Sequence, residues 1–390
     1  EKGTMTSQAN QPNAFRDYVR RLNRDRATAI LVLAPSVILL AIFVYGFIAQ
    51  TVWISMTDWG EQAGLALNPE INFVGLANYN NLFTGIVEGR FRQDLVNTFF
   101  FTLFFLLACL AVGLLLAILL DQNIRGEGFF RTIFLFPMSL SFIVTGTIWR
   151  WLFQPSGGIN VLPTVVGFSP LSIGWLTDRT QVLQFNWQDV PAITAIVVAL
   201  VFGLLAYRYW RAGRRRSALI AVASAGVLAL WVVLGGAQAV PRLPFPEKHG
   251  FNVAFVGIII AATWQLAGYT MAMYLAGLRG IAQELREAAR VDGSNEFQLY
   301  RHIILPMLQP ITLSAMIVLG HISLKIFDLI FAMAGADNAT TDVPGILMYL
   351  TTFRANQFAK GAAIAVVMLL MVAVVIVPYL ANTLRQEHET

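Results

Sequence analysis

The stretch that decides the fold is residues 95–120, LVNTFFFTLFFLLACLAVGLLLAILL, which contain no Asp, Glu, Lys or Arg. A helix must present about 20 mainly apolar residues to cross the hydrocarbon core of a bilayer, and this stretch is longer. The composition agrees, since 57% of the 390 residues are hydrophobic and 13% are charged. Soluble domains carry about 25% charged residues. The sequence therefore predicts a membrane protein.

Further stretches without those four residue types lie on both sides of residues 95–120. Together they number eight: 27–57, 95–120, 132–149, 190–207, 217–241, 249–278, 302–324 and 361–384. Their lengths suit helices, and the two-residue alternation of barrel strands is absent. We predict an all-α polytopic membrane protein with eight transmembrane helices. Its membrane domain would be residues 27–384, between an N-terminal segment 1–26 and a tail 385–390.

The basic residues predict the orientation of these helices. If the N-terminus is inside, the inner connections hold 18 Lys and Arg and the outer connections hold 8. Such a bias places both termini in the cytoplasm. It also accounts for the net charge of +5 without nucleic acid as a partner. The single cysteine, Cys109, and four scattered histidines match no disulfide framework or metal-site spacing.

One polar connection stands out, residues 283–310, QELREAARVDGSNEFQLYRHIILPMLQP. Strong helix formers occupy the positions from Glu284 to Ala289. Asp292, Gly293 and Ser294 then break the helix, because Gly reaches positive φ and Asp and Ser favour turns. The pattern predicts a short helix, a turn and a second helix at the cytoplasmic face, where a rigid helix could transmit force from another protein.

The spacing within this connection resembles the EAA loop of ABC importer permeases. It runs Glu287-Ala288-Ala289, three residues, Gly293, nine residues, then Ile303-x-Leu305-Pro306. The resemblance implies that residues 279–306 form a coupling loop that docks into a cleft on an ATPase subunit. The positions it assigns to ATPase coupling are Glu287, Ala288, Ala289, Asp292, Gly293, Leu305 and Pro306.

Other motifs are similar to those of the binding-protein-dependent sugar transport (MalF-type) branch of that family. They begin at Phe73, Arg131, Ile148, Trp264 and Phe327. Members of this branch usually have six core helices. The extra pair here would be an inserted two-helix hairpin, residues 189–242, similar to that of α-glucoside-type permeases. A second departure is Gly335-Ala336-Asp337-Asn338, where the branch usually has a Gly-Gly-Pro turn.

The resemblance also implies a function and partners. The chain would form half of the pathway for a sugar, such as a glucoside or oligosaccharide, delivered by an extracytoplasmic binding protein. Its partners would be a second homologous permease and two ATPase subunits in a bacterial or archaeal cytoplasmic membrane. No cofactor is expected on this chain. ATP and Mg would bind the ATPase subunits, since the chain has no G-x-x-x-x-G-K-[ST] phosphate loop.

Polar residues within predicted spans are candidates for contact with the substrate, because they are costly in lipid. They are Trp264, Gln265, Gly268, His321, Ser323, Lys325 and Asp328. For each, a structural role is an open alternative. Lys325 and Asp328 would form an ion pair, His321 and Ser323 would make interhelical hydrogen bonds, and Trp264 would pack. We interpret Asp121 and Arg125 as solvated charges.

An ion-coupled secondary transporter would show inverted repeats and paired broken helices, and no convincing repeat is present. A membrane-embedded enzyme would need a clustered catalytic set, and acids and histidines are too sparse within the spans. A structural or receptor protein is a third alternative, and the coupling motif disfavours it as well.

Overall fold

The computed structural model describes residues 28–60, 71–122, 124–240 and 243–389, with side chains as far as Tyr379. The predicted N-terminal segment 1–26 lies outside this part of the chain. The first seven helices are α1 (Thr28–Ser55), α2 (Ala77–Thr84), α3 (Gly89–Asp121), α4 (Glu127–Leu135), α5 (Phe142–Leu152), α6 (Val190–Arg211) and α7 (Arg215–Val233). The others are α8 (Phe255–Arg279), α9 (Gln283–Val291), α10 (Glu296–Met307), α11 (Gln309–Leu324), α12 (Asp328–Ala334), α13 (Pro344–Tyr349) and α14 (Phe358–Glu389).

Within the described residues, six helices are long and apolar enough to cross a membrane: α1, α3, α6, α7, α8 and α14. Two bent pairs pass the same test when each is joined. Residues 127–139 and α5 meet at 100°, and α10 and α11 meet at 62°. The fold is thus that of a polytopic helical membrane protein, and a count of eight spans follows if each bent pair crosses once.

Helix α1 lies mainly in a first compact unit that ends at Ile54, and it is described by itself. It contains a π-helical stretch, Ala41–Gly46. The second unit, Ser55–Thr390, holds the other helices. Its centre is the packing of α3 against α8, where the Thr270 hydroxyl donates to the Cys109 carbonyl at 2.8 Å. Gly113 permits this approach, because a Cβ there would lie 2.0 Å from Thr270 Oγ1.

The two bends have local causes. Leu140 is extended, and the Ser141 side chain caps the start of α5 by accepting from Val144 N. The capped break divides the predicted span 132–149 into two helices. In the predicted span 302–324, Pro310 stands in the first turn of α11, just after the bend at Leu308. Proline cannot donate the backbone hydrogen bond that would continue the preceding helix.

An antiparallel sheet of two strands, β1 (Gln181–Asn186) and β2 (Lys248–Asn252), corrects the prediction of an all-α fold. The predicted outer loop therefore contains a strand. The predicted span 249–278 starts later, at Phe255, because residues 248–252 pair with β1. Likewise α7 ends at Val233, before the predicted end at residue 241. Gly235, with φ of +78°, follows two residues later.

Helices α6 and α7 pack chiefly on each other, between the two strands in sequence. In each of these two helices, only 11% of the most apolar 18-residue stretch is buried. The buried positions are the small residues Ala195, Ala206, Ala218 and Ala221. Small side chains let two helices approach closely in a membrane. The large apolar side chains on the other faces are left exposed, where lipid can cover them.

Candidate coupling site and transport pathway

Helix α9 is the first part of the predicted coupling loop, and its end is closed by a Schellman motif. Gly293 has φ of +83°. Ser294 N donates to Ala289 O at 3.0 Å, and Gly293 N donates to Arg290 O at 3.1 Å. This pattern satisfies carbonyls that a helix end leaves free, and it needs a residue in the left-handed region. The conformation explains why glycine stands at position 293.

Helix α10 begins at once after this turn, with a capping box. Asn295 Oδ1 accepts from Gln298 N at 2.8 Å, and Gln298 Oε1 accepts from Asn295 N at 3.0 Å. Arg290 also donates to Glu296 across the turn at 2.9 Å. The reciprocal cap fixes where the second helix starts. The two helices therefore have a defined junction, as a force-transmitting element requires.

Arg286 ties α9 to the ends of two long helices. Its Nη1 donates to Asp121 Oδ2 at 2.7 Å, and its Nη2 donates to the Leu278 carbonyl at 2.6 Å. Asp121 is the last residue of α3, and its side chain is only 9% exposed. The interpretation of Asp121 as a solvated charge is therefore wrong. The sequence alone did not pair residues 165 positions apart.

The predicted coupling residues divide into an inner and an outer set. Ala289 is 6% exposed and lies in a core cluster with Leu278, Leu299 and Ile304. The exposed set is Glu287, Ala288, Asp292, Gly293, Leu305 and Pro306. Ala289 thus holds α9 against its own chain, and the other positions remain accessible to a second protein.

Large apolar side chains accompany the exposed coupling residues. Val291 is 87% exposed and Phe297 is 68% exposed, and Leu285 is also exposed. Glu287 accepts from Gln283 on the same helix at 2.8 Å. An apolar group beside a carboxylate is a surface that suits a protein cleft lined with apolar and basic groups. The sequence motif pointed to Glu287 but did not single out Val291 or Phe297.

Trp264 lies in α8 and is 38% exposed. Its ring meets the ring of Trp149 on α5 edge to face, with centroids 5.8 Å apart. The indole Nε1 of Trp149 is buried and has no hydrogen-bond partner. Sugars bind to aromatic faces together with a few placed polar groups. The contact between the two rings agrees with the packing role that is the alternative for Trp264.

Gln265 and Gly268 hold α8 against the break between α4 and α5. Gln265 Nε2 donates to the Leu140 carbonyl at 2.8 Å, so it satisfies a backbone group that the break frees. A Cβ on Gly268 would lie 2.2 Å from the Phe134 carbonyl oxygen. Both residues thus have structural roles. The Oε1 atom of Gln265 is buried and has no hydrogen-bond partner among the described residues.

The four remaining pathway candidates lie at the end of α11 and the start of α12. Ser323 is buried and donates to Gly320 O in its own helix at 2.9 Å. His321 Nδ1 is buried and has no hydrogen-bond partner. Lys325 and Asp328 are exposed, and no ion pair joins them in the described part of the chain. The ion pair offered as an alternative for them is therefore wrong.

A polar network that the sequence did not reveal joins β2 to the start of α3. Arg92 is fully buried and donates to both carboxylate oxygens of Glu247, at 3.0 and 2.6 Å. Its Nη1 donates to the carbonyls of Leu82 and Gly85. Asn252 Nδ2 donates to Asn97 Oδ1 at 2.9 Å. Burial acts to raise the pKa of Glu247, but Arg92 and His249 together outweigh it and the pKa is lowered, so the carboxylate stays ionised.

His249 completes the network between two acceptors. Gln93 Nε2 donates to Asn97 Oδ1 and to Gly250 O, so its Oε1 must face His249 Nδ1, at 2.8 Å. The other ring nitrogen lies 2.5 Å from Glu247 Oε1. Burial lowers the pKa of His249, and Glu247 opposes that shift. The two contacts hold the imidazole ring between Gln93 and Glu247.

These features define a class: a polytopic helical membrane protein with an exposed helix–turn–helix between two of its long helices. The family described as "Binding-protein-dependent transport system inner membrane component" matches residues 217–386. A protein named as a probable ABC transporter permease of Pyrococcus horikoshii is 36% identical over 92% of this chain and 97% of its own length. The chain belongs to the ABC transporter permease family and is a transport subunit of an ABC importer.

Other similar proteins are named as sugar permeases. A xylose/arabinose import permease of Haloferax volcanii is 30% identical over 90% of this chain and 86% of its own length. An alpha-glucoside transport system permease of Rhizobium meliloti is 27% identical over 91% of this chain and 82% of its own length. A chain of a bacterial alginate ABC importer has the same fold, with a TM-score of 0.60, 17% identity and coverage of 95% of this chain and 99% of that one.

Proposed function

We propose that this chain forms half of the membrane pathway of an ATP-driven importer for a sugar, a glucoside or an oligosaccharide. Similar proteins are named for xylose/arabinose, alpha-glucosides and trehalose/maltose, which supports this substrate class. A related structure is titled as a complex with an alginate pentasaccharide-bound periplasmic protein, which supports delivery by a binding protein. The other half would be a second homologous permease.

The observation that carries the proposal is the rigid junction of α9 and α10 with its exposed apolar and acidic face. Two ATPase subunits would bind ATP and Mg, and one would receive this face in a cleft. Movement of α9 would pass through Arg286 to Asp121 at the end of α3 and to Leu278 near the end of α8. These helices form the packed centre of the chain, so the displacement reaches the pathway as a rigid-body motion.

For the substrate, we propose contact with Trp264, Trp149 and the free amide oxygen of Gln265. His321 offers a further unpartnered nitrogen. Ser323 and Gly268 contribute by shaping the helices, and Lys325 and Asp328 lie exposed beyond the end of α11. The orientation that suits this proposal has both termini and the coupling loop in the cytoplasm, as the distribution of basic residues predicts.

The test compares two matched glycines in the assembled transporter. Gly293 and Gly126 both have positive φ, +83° and +82°, and a Cβ at either would meet nothing within 4 Å. A β-branched residue strains such a backbone by about 1–2 kcal/mol or more. We expect Gly293→Val and Glu287→Lys to reduce ATPase co-purification and ATP-driven sugar uptake in vesicles. Gly126→Val serves as the control and should leave both largely intact.

The coupling assignment fails if Gly293→Val and Glu287→Lys both keep full ATPase assembly and uptake. Uptake driven by an ion gradient without ATP would instead support a secondary transporter. The same variants should leave sugar binding to the separate binding protein unchanged, since that protein is a different chain.

A further inference from the structure

The turn between α6 and α7 carries a dense positive charge that no feature of the transport mechanism uses. Five arginines lie within nine residues: Arg208, Arg211, Arg214, Arg215 and Arg216. All five are exposed, and none takes part in an ion pair within the part of the chain that the structure describes. The sequence has no Asp or Glu between Asp189 and Glu247 that could neutralise them. We call residues 207–217 the basic turn.

The helices hold the basic turn at the membrane surface. At 1.5 Å per residue, the 22 residues of α6 and the 19 residues of α7 span roughly the thickness of the hydrocarbon core. Tyr207 and Trp210, 59% and 63% exposed, lie at the same end of α6. Such aromatic side chains favour the level of the lipid headgroups. The arginines therefore stand where headgroup phosphates are found.

The basic turn has a defined backbone geometry, and two of its arginines lie where the helix dipole disfavours cations. Arg214 N donates to Tyr209 O and Gly213 N donates to Trp210 O, which makes a Schellman motif with Gly213 at φ of +73°. Helix α7 begins directly afterwards, with no side-chain cap at Arg214. Cations in the first turn of a helix are disfavoured by the helix dipole, and anions are favoured there. Arg215 and Arg216 thus need an anion nearby.

We propose that the basic turn binds the phosphate headgroups of anionic phospholipids. Guanidinium groups bind phosphate oxygens through paired hydrogen bonds, and the positive end of the α7 helix dipole favours the same anion. A bound headgroup neutralises charges that this chain leaves unpaired. The occupant is a lipid rather than a soluble partner because the turn is fixed between two membrane-spanning helices and flanked by interfacial aromatics.

The experiment uses the full chain, with its partners, in nanodiscs of phosphatidylcholine that contain a small fraction of spin-labelled phosphatidylglycerol. The measured quantity is the fraction of label that is motionally restricted at the protein. Arg214→Gln/Arg215→Gln should lower the relative affinity for phosphatidylglycerol about fivefold or more, since each basic residue near a membrane surface contributes measurably. Labelled phosphatidylcholine should bind equally to both proteins.

A matched variant gives the control. Arg125 and Arg131 are exposed arginines of another connection, on the same predicted side. Arg125→Gln/Arg131→Gln removes the same charge and should change lipid selectivity little. The proposal is overturned if the two double variants behave alike, or if Arg214→Gln/Arg215→Gln retains full selectivity. It is also overturned if that variant loses the ATPase subunits in lipid-free detergent while lipid selectivity persists, which would identify a protein partner.

Discussion

Arg92 and Glu247 form a two-bond ion pair that joins the start of α3 to the residue just before strand β2, 155 residues later in the chain. The Arg92 side chain is fully buried and that of Glu247 is 13% exposed. Arg92 also donates to two backbone carbonyl groups, and Glu247 also forms a hydrogen bond with His249. This relationship fixes the strand that follows the inserted hairpin to a helix at the centre of the fold.

Removal of one partner of this pair should be strongly destabilising. Glu247→Gln leaves the Arg92 charge buried without its anion, and the loss of one partner of a buried pair costs about 3–5 kcal/mol. We expect a clearly lower Tm in detergent. Glu127→Gln is the control, because its ion pair with Arg279 is exposed and worth about 1 kcal/mol or less. Equal Tm values for the two variants would show that the buried pair does not hold the strand.

Asp342 should give the protein a pH-dependent stability. Burial raises the pKa of Asp342 from its ordinary value of 3.8 to about 6, and Arg90 opposes the shift. Asp94 also interacts with both groups electrostatically. Because the folded state binds this proton more tightly than the unfolded state, the contribution of Asp342 is present at low pH and is lost as pH rises.

The measurement is the Tm of the wild type minus that of Asp342→Asn between pH 3.5 and pH 7.5. We expect the difference to fall as pH rises from about 4 to about 6 and to be level above that range. The same Tm difference, measured for Asp94→Asn, separates the contribution of Asp94 from that of Asp342. A difference that grows with pH over the same range would mean that the Arg90 ion pair outweighs burial.

Gly268 should be intolerant of even a methyl group. Its Cβ would lie 2.2 Å from the Phe134 carbonyl oxygen, an atom of the backbone that cannot move aside cheaply. We expect Gly268→Ala to lower stability by about 1–3 kcal/mol through overpacking. Gly226→Ala in α7 meets nothing within 4 Å and should be neutral or stabilising, since alanine is the better helix former. Thermal unfolding of both variants in detergent tests the contrast.

Arg286→Met should separate docking from transmission. Methionine keeps much of the apolar stem but loses the bonds to Asp121 and Leu278, which lie inside the chain. The exposed face of α9 is unchanged, so we expect the ATPase subunits to co-purify normally and ATP hydrolysis to continue with reduced sugar uptake. Arg354→Met is the control, because its ion pair with Asp337 is exposed and lies outside the coupling loop. Normal uptake by the Arg286 variant would exclude this route of force transmission.

The long apolar stretches could be predicted because lipid selects for composition and length alone. Residues 95–120 lie within α3, and the helix–turn–helix around Gly293 follows from local turn chemistry. The sheet could not be predicted in this way. His249 and Asn252 of β2 form hydrogen bonds with the side chains of Gln93 and Asn97, which lie about 155 residues earlier in the chain on α3. Long-range hydrogen bonds leave no periodic signal in the sequence.

The candidate site shows the same difference between local features and long-range hydrogen bonds. Glu287 and Gly293 could be proposed from the sequence because their spacing is local, whereas the Arg286–Asp121 hydrogen bond could not, because it joins separate helices. Motif residues can also have plain structural roles. Asn78, in a stretch that resembles the sugar branch, is buried and donates to the carbonyls of Ser55 and Thr57. Resemblance locates such a residue, and only its hydrogen bonds tell what it does.

The pairing of β1 with β2 has a consequence for how such a chain can change over evolutionary time. The strands are antiparallel neighbours, with Asn186 opposite Lys248, so the segment between them leaves the core and returns to it at one point. A segment with coincident ends can be gained, lost or exchanged without moving any helix on either side. A short turn that leads from Asn186 to Glu247 would close the gap and keep the anion that pairs with Arg92, so the α6–α7 hairpin could be exchanged as one unit.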